Sequence, residues 1–348
     1  MNRFFRLSIL CTMVVICLTA EGTLRAEEVT ENKKIEKSIE RALVYLSKQQ
    51  QKSGAWRIDS CGESTASTSL AIMSFLSAGY VPGEGKYGKQ INKGILYVLN
   101  HQKENGMLVH YKSHGPMYSH GISTLMLAEV IGMVDKSLAK KCRKGLEDAV
   151  RLILKSQNVA KSKRHKGGWR YHPASSNSDL SVTGWQLLAL RAAKDAGCDV
   201  PKKNIDLAVQ YVINCAHPRK GGFGYQPGGV PSVTRTGTGL LALEVCGKHQ
   251  SKAATIGADY LIKYPLTKDE HYFFYGVYYC TVGMFKMGGK YWKATKKQNT
   301  KLLLNYQSQN GSWNAKRGGE RSSGTIYCTS MAVLALAVEY RFLPIYQR

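Results

Sequence analysis

Gln49–Trp56 reads QQQKSGAW, and Gln307–Trp313 reads QSQNGSW. In both, a glutamine is followed four residues later by glycine, then any residue, then tryptophan: Gln50, Gly54, Trp56 and Gln307, Gly311, Trp313. Weaker copies lie between. Gln102 and Gly106 keep the first two letters but put Leu108 in place of tryptophan. Gln157 reaches Trp169 after a longer insertion, and Ala216 with Phe223 keeps only the aromatic end. Around Pro265 the phrase is nearly gone. The anchors at 50, 102, 157, 216, about 265 and 307 define six units with a period of roughly 50 residues.

Each unit has the same internal order. A segment with helical apolar spacing, such as IEKSIERALVYLSKQ, precedes the phrase and alternates charge with apolar residues. A glycine-rich loop follows. A second helix then opens on small or hydroxyl residues and is apolar nearly all round, as in STASTSLAIMSFLSAG and TRTGTGLLALEVCG. Gly79, Gly132, Gly197 and Gly247 are placed to end four of these helices with left-handed caps. A helix that is apolar on every face must be covered on every face. The sequence thus predicts an all-α fold of six helical hairpins in two concentric rings, an α/α-toroid. The last unit keeps a strong copy of the phrase and an apolar helix, MAVLALAVEY, so the array is expected to close rather than end in a polar cap. Inner helices about 9–10 Å apart leave a central radius of about 5 Å, with helix N-termini ringing one end.

The first 26 residues stand apart. A basic start, MNRFFR, precedes the 14-residue apolar run LSILCTMVVICLTA and small residues. This is the pattern of a secretory signal peptide, cleaved after Ala20 or Ala26, with an uncleaved anchor as the rival. Residues 27–348 are expected to form the single toroid domain, exported to the periplasm or outside the cell and monomeric. The chain carries 49 Lys and Arg against 24 Asp and Glu. Loss of the leader, with three Arg and one Glu, leaves a charge of +23. Such an excess favours an anionic lipid or polymer surface. No nucleic-acid motif accompanies it, so nucleic acid is not expected as a partner. The seven cysteines beyond the leader are widely spaced, without a C-x-x-C pair, and predict neither a disulfide framework nor a metal centre.

The Q-x3-G-x-W phrases resemble the QW repeats of squalene and hopene cyclases, within the superfamily that also holds protein prenyltransferase β-subunits and thioester domains. The resemblance implies that each glutamine caps neighbouring helix ends with the tryptophan packed beside it. It also implies a hydrophobic, isoprenoid-like ligand in the central cavity, with cyclase or transferase chemistry as the activity to test. Such cyclases start from a D-x-D-D acid. The matching stretch here, SNSDLSVTGW, retains only Asp179 of the acids, and a lone Asp at a helix start also serves as an N-cap. The zinc ligands of prenyltransferases are not matched: Gly276 stands where the histidine would be, and Asp59 with Cys61 form D-x-C in the wrong unit. CGES, Cys61–Ser64, lacks the glutamine a thioester needs. No cofactor is expected.

Aromatic side chains supply the remaining candidates. HYFFYGVYYC places Tyr275 and Tyr279 on one helix face, with Phe274 on the next. His120, Trp185 and Tyr327 fall at comparable positions of other units. These six residues are the expected ligand-binding set, with Asp179 as the catalytic candidate. Two alternatives stay open. One is a non-catalytic scaffold for anionic surfaces. The other is a glycan-active enzyme on the same kind of helical ring, drawing on Asp59, Glu63, Asp179, Asp269 and Glu270 as acids and on Tyr118, His120, His172 and His271.

Overall fold

A computed structural model describes residues 29–110 and 115–347. The leader assigned to residues 1–26 lies outside them. Among the described residues there are twelve α-helices: α1 (29–49), α2 (Thr65–Ser77), α3 (Gly88–Asn100), α4 (Pro116–Val130), α5 (Lys136–Gln157), α6 (Leu180–Asp195), α7 (Lys202–Asn214), α8 (Val233–Val245), α9 (Lys252–Lys263), α10 (Phe273–Met287), α11 (Gly289–Tyr306) and α12 (Gly324–Leu336). None is long and apolar enough to cross a membrane.

The even-numbered helices form the inner ring. Each packs on the next, α2 on α4 and onward to α12, and α12 packs back on α2. Their surfaces are buried on nearly every side, as in α6, where every residue from Val182 to Leu190 is covered. The odd-numbered helices form the outer ring and are amphipathic. In α5 the buried residues Leu138, Cys142, Leu146, Ala149 and Ile153 recur at helical spacing, and the lysines between them face water. The expected closure is present. Ser74 Oγ donates to the Ser330 carbonyl at 3.3 Å, and the Tyr45 and Thr325 hydroxyls meet at 2.6 Å.

The repeated phrase is the clasp. Each glutamine Nε2 donates twice: to the carbonyl of its own loop glycine, and to a carbonyl of the next outer helix. Gln50 bonds Gly54 O at 2.9 Å and Gln90 O at 2.8 Å. Gln102 bonds Gly106 and Gly145, and Gln157 bonds Gly167 and Asn204. Gln307 bonds Gly311 at 2.9 Å and, across the whole chain, Ser38 at 2.8 Å. The tryptophan indole N–H closes the preceding outer helix: Trp56 on Leu46 O, Trp169 on Ile153 O, Trp313 on Leu303 O. The backbone N–H of the aromatic residue then donates to a threonine on the inner helix, Thr68, Thr183, Thr236 or Thr329. One phrase therefore ties three helices. Clasp glycines must be glycine because φ is near +90° at Gly54, Gly106, Gly167 and Gly311 and a Cβ there would overlap a carbonyl of the neighbouring outer helix.

Two sequence expectations need correction. Gly79, Gly197 and Gly247 take positive φ at helix ends as expected, but Gly132 does not; α4 ends at Val130 and runs into a turn instead. The axis is also not an open apolar well at its middle. Trp185 of α6 stacks on Tyr278 of α10, centroids 5.8 Å apart and planes 7° from parallel, and meets Tyr279 edge-on at 5.4 Å. The far end is stoppered by the C-terminal tail: the Ile345 N–H donates to Glu129 at 3.1 Å, and the Tyr346 hydroxyl to Tyr278 at 3.2 Å. Large aromatics from two of the six inner helices, α6 and α10, fill the centre, which a count of helix radii does not foresee.

Candidate functional site

The end of the ring where the inner helices begin is the open one. Tyr118 of α4, Ser181 of α6, Tyr275 of α10 and Tyr327 of α12 sit in first turns there, and each keeps part of its surface accessible. Beneath them Tyr279 has none. Side chains that converge from around a ring yet keep accessible surface define a bowl, with Tyr279 and Trp185 as the support below its floor. The Tyr275 ring lies 4.6 Å from that of Tyr279, and its hydroxyl meets Thr238 Oγ1 at 2.5 Å. Burial raises the pKa of Tyr118, Tyr275 and Tyr327, so all three stay neutral phenols.

Asp179 sits at one wall. It is the N-cap of α6, accepting from Val182 N at 2.9 Å, and its backbone N–H bonds the Trp169 carbonyl at 2.9 Å. The clasp tryptophan thus fixes where this carboxyl stands. Its Oδ2 faces Arg170 Nε at 3.8 Å, with Tyr225 beside it. The group is fully buried. Desolvation pushes its pKa up to about 6, against the opposing pull of the Val182 N–H and Arg170.

That shift has a stability consequence. The folded protein holds the proton more tightly than the unfolded chain, so this carboxyl favours folding below pH ~4. The contribution is lost as pH rises through about 6. Asp179→Asn keeps a good cap and removes the buried charge. The variant should exceed the parent by on the order of 2 kcal/mol at pH 8 and match it near pH 4. Denaturant unfolding at the two pH values reads the difference; equal gains at both would refute it.

Around Asp179 the wall is aromatic and cationic. The Tyr171 and Tyr225 hydroxyls meet at 2.7 Å, and Tyr171 reaches Tyr118 with centroids 5.9 Å apart. Arg170 and Arg235 both lie over the Tyr225 ring, at 5.8 and 5.7 Å. The opposite wall holds Glu320. Its carboxylate accepts from Phe274 N at 2.8 Å and Tyr275 N at 2.7 Å, capping α10, and from the Tyr327 hydroxyl at 3.2 Å. Burial raises its pKa, and these bonds lower it.

The seven sequence candidates divide. Tyr275 and Tyr327 meet at the bowl, and Asp179 lies buried within its wall. Phe274, Trp185 and Tyr279 lie behind it with almost no accessible surface. His120 is elsewhere, on the outward side of α4. Its Nδ1 accepts from Leu108 N at 3.1 Å and its Nε2 donates to the Ala149 carbonyl at 3.2 Å. Burial lowers its pKa to about 4, so it is neutral. It stands where other units carry the clasp threonine, in the unit whose phrase has leucine for tryptophan. Glu320, Arg170, Tyr171 and Tyr225 were not among the candidates, for no local motif marks them. In the basic run Lys161–Lys166, Lys161 donates to the Ser156 and Gln157 carbonyls at the end of α5 and Arg164 bonds Pro227 O at 2.5 Å, while Lys163 and Lys166 are exposed. Among the described residues no three His, Cys, Asp or Glu side chains come together as metal ligands.

The family model described as the prenyltransferase alpha-alpha toroid domain matches residues 7–162 and 185–262, more than half of the chain. Comparison with curated proteins finds no relative. Among solved structures, the type II terpene cyclase MstE from Scytonema is similar at TM-score 0.56 and 13% identity, covering 89% of this chain and all of that one. The GH76A alpha-1,6-mannanase from Salegentibacter is similar at TM-score 0.65 and 11% identity, covering 88% and 99%. At such identity the two likenesses speak for the fold.

Proposed function

The chain belongs to the prenyltransferase alpha-alpha toroid family, and from that premise we propose that its tyrosine bowl binds an isoprenoid-type ligand. The observation that carries this reading is the set of partly accessible rings, Tyr118, Tyr275 and Tyr327, converging from three inner helices. Their faces suit unsaturated hydrocarbon, and their negative quadrupoles suit any positive charge that develops on it. Arg170 and Arg235 at the rim suit a polar or anionic head group. Asp179 has no accessible surface, so in this reading it acts on the ligand through Tyr118, Tyr225 and Tyr275, whose hydroxyls its charge further raises after burial. The packed layer beneath Tyr275 makes the bowl shallow, which favours binding a chain end over enfolding a long polyene.

A second reading, carbohydrate binding, draws on one specific feature. Two buried carboxyl groups, Asp179 and Glu320, lie within the walls of the same bowl, with two guanidinium groups nearby. Calorimetric titration separates the readings. Geranylgeraniol should bind, and Tyr118→Ala and Tyr327→Ala should each weaken it about tenfold. Binding of oligogalacturonate but not of geranylgeraniol would overturn the isoprenoid reading in favour of the glycan one.

A further inference from the structure

The outer ring is not uniform, and its exception lies between α9 and α11, where the repeated phrase is missing. Elsewhere the clasp tucks an aromatic residue, or Leu108 in the second unit, under the loop. Here the chain from 262 to 265 and from 267 to 269 stands exposed. Ile262 is 42% accessible, Tyr264 44% and Tyr272 47%, and Tyr306 at the end of α11 is 44%. These are the ends of α9 and α11 and the start of α10, so the aromatics lie on the rim of the open mouth.

Beside them runs a cationic stripe. The α11 segment Gly289–Tyr306 holds five lysines and no acid. Lys290, Lys293, Lys297 and Lys301 are exposed. At 100° per residue they span an arc of about 80° and a length of about 16 Å. Trp292, Asn299 and Leu303 face α1 and α12, and Ala294 and Gln298 face α9, which leaves the stripe directed outward. Of the nearby acids, Asp269 pairs with Arg317 at 2.9 Å, Asp259 accepts from Tyr291 at 3.0 Å, Glu339 pairs with Lys296 at 2.8 Å, and Glu270 is half-buried. Lys263 lies over the Tyr264 ring at 5.3 Å.

Exposed tyrosines beside an unopposed lysine row match a bilayer interface. Tyrosine rings settle at head-group level, and lysines gain from anionic lipid charge. We infer that this sector docks the protein on an anionic phospholipid surface, with the outer face of α11 along the membrane and the exposed aromatics of the rim at the edge of the contact. The inference is independent of what the bowl binds. A dissolved polyanion would use the lysines but gives no reason for Ile262, Tyr264 and Tyr306 to be uncovered at the same edge.

The full chain should co-sediment with vesicles of phosphatidylglycerol and phosphatidylcholine more strongly than with pure phosphatidylcholine, and about 0.5 M salt should release the difference. Lys293→Ala, Lys297→Ala and Lys301→Ala together should lower the affinity for anionic vesicles about a hundredfold, at roughly fivefold per lysine. Because the apolar leader can itself enter vesicles, amide exchange provides the local readout. Protection over 262–272 and α11 should rise on anionic vesicles alone. Unchanged exchange there, or association with dextran sulfate but not with anionic vesicles, would overturn the inference.

Discussion

Gly311→Ala should open the ring at its closing seam and cost about 3 kcal/mol or more. Two effects add. At φ +90° any side chain is strained, and the new Cβ would overlap the Arg41 carbonyl of α1. Arg41 itself holds the seam through the Ser308 and Gln309 carbonyls at 2.7 and 2.9 Å. Moving the loop away would break the Gln307 bond to Ser38 as well. Gly132→Ala is the control, since a Cβ at that position would meet no heavy atom within 4 Å and φ is not positive; it should stay within about 0.5 kcal/mol. Denaturant unfolding with circular dichroism measures both. A Gly311→Ala protein as stable as Gly132→Ala would mean that the seam contributes little.

Trp169→Ala should cost about 3–5 kcal/mol, the range for emptying a buried aromatic site. The indole is 1% accessible. Trp169→Phe should cost less, about 1–2 kcal/mol, because the ring is largely kept while the Ile153 carbonyl loses its donor at 2.9 Å. The two changes also differ at the bowl. Trp169 exchanges backbone contacts with Asp179, so a collapsed alanine site should shift the acid and weaken ligand binding, whereas phenylalanine should leave binding near that of the parent. Thermal unfolding and the geranylgeraniol titration together test this. Unchanged binding in the alanine variant would separate the clasp from the site.

The sequence carries the architecture because its information there is local and repeated. A glutamine, a glycine and a tryptophan in one loop meet the same partners wherever all three are present, as in three of the six units, and two further units keep half of the clasp. Departures were legible as departures. Leu108 for tryptophan announced an altered second clasp, although not that His120 would take the threonine's part in it. The erased phrase near Pro265 marked the seam at which Ile262 and Tyr264 stand out. The family follows from the same letters.

The site was legible only in part. Asp179 could be read as a helix cap from its position before LSVTGW, and the structure has it so. Its burial, and hence a pKa of about 6, depends on Trp169, Arg170 and Tyr225 arriving from other segments. Glu320 lies in a glycine-rich loop with nothing beside it in the chain to mark it, yet it caps α10 from 45 residues away. Trp185 and Tyr279 look alike in sequence to Tyr275 and Tyr327, and differ only in depth along the ring axis.

By itself, then, the sequence determined six hairpins, their order and the closure of first upon last, because each rests on short-range spacing and on helices that are apolar all round; the clasp came with the family resemblance. Tertiary structure alone decided which aromatics face solvent, which fill the axis, that the C-terminal tail stops one end, and which carboxyl groups share the open mouth. Depth and accessibility depend on how twelve helices pack at once, and no single segment encodes them.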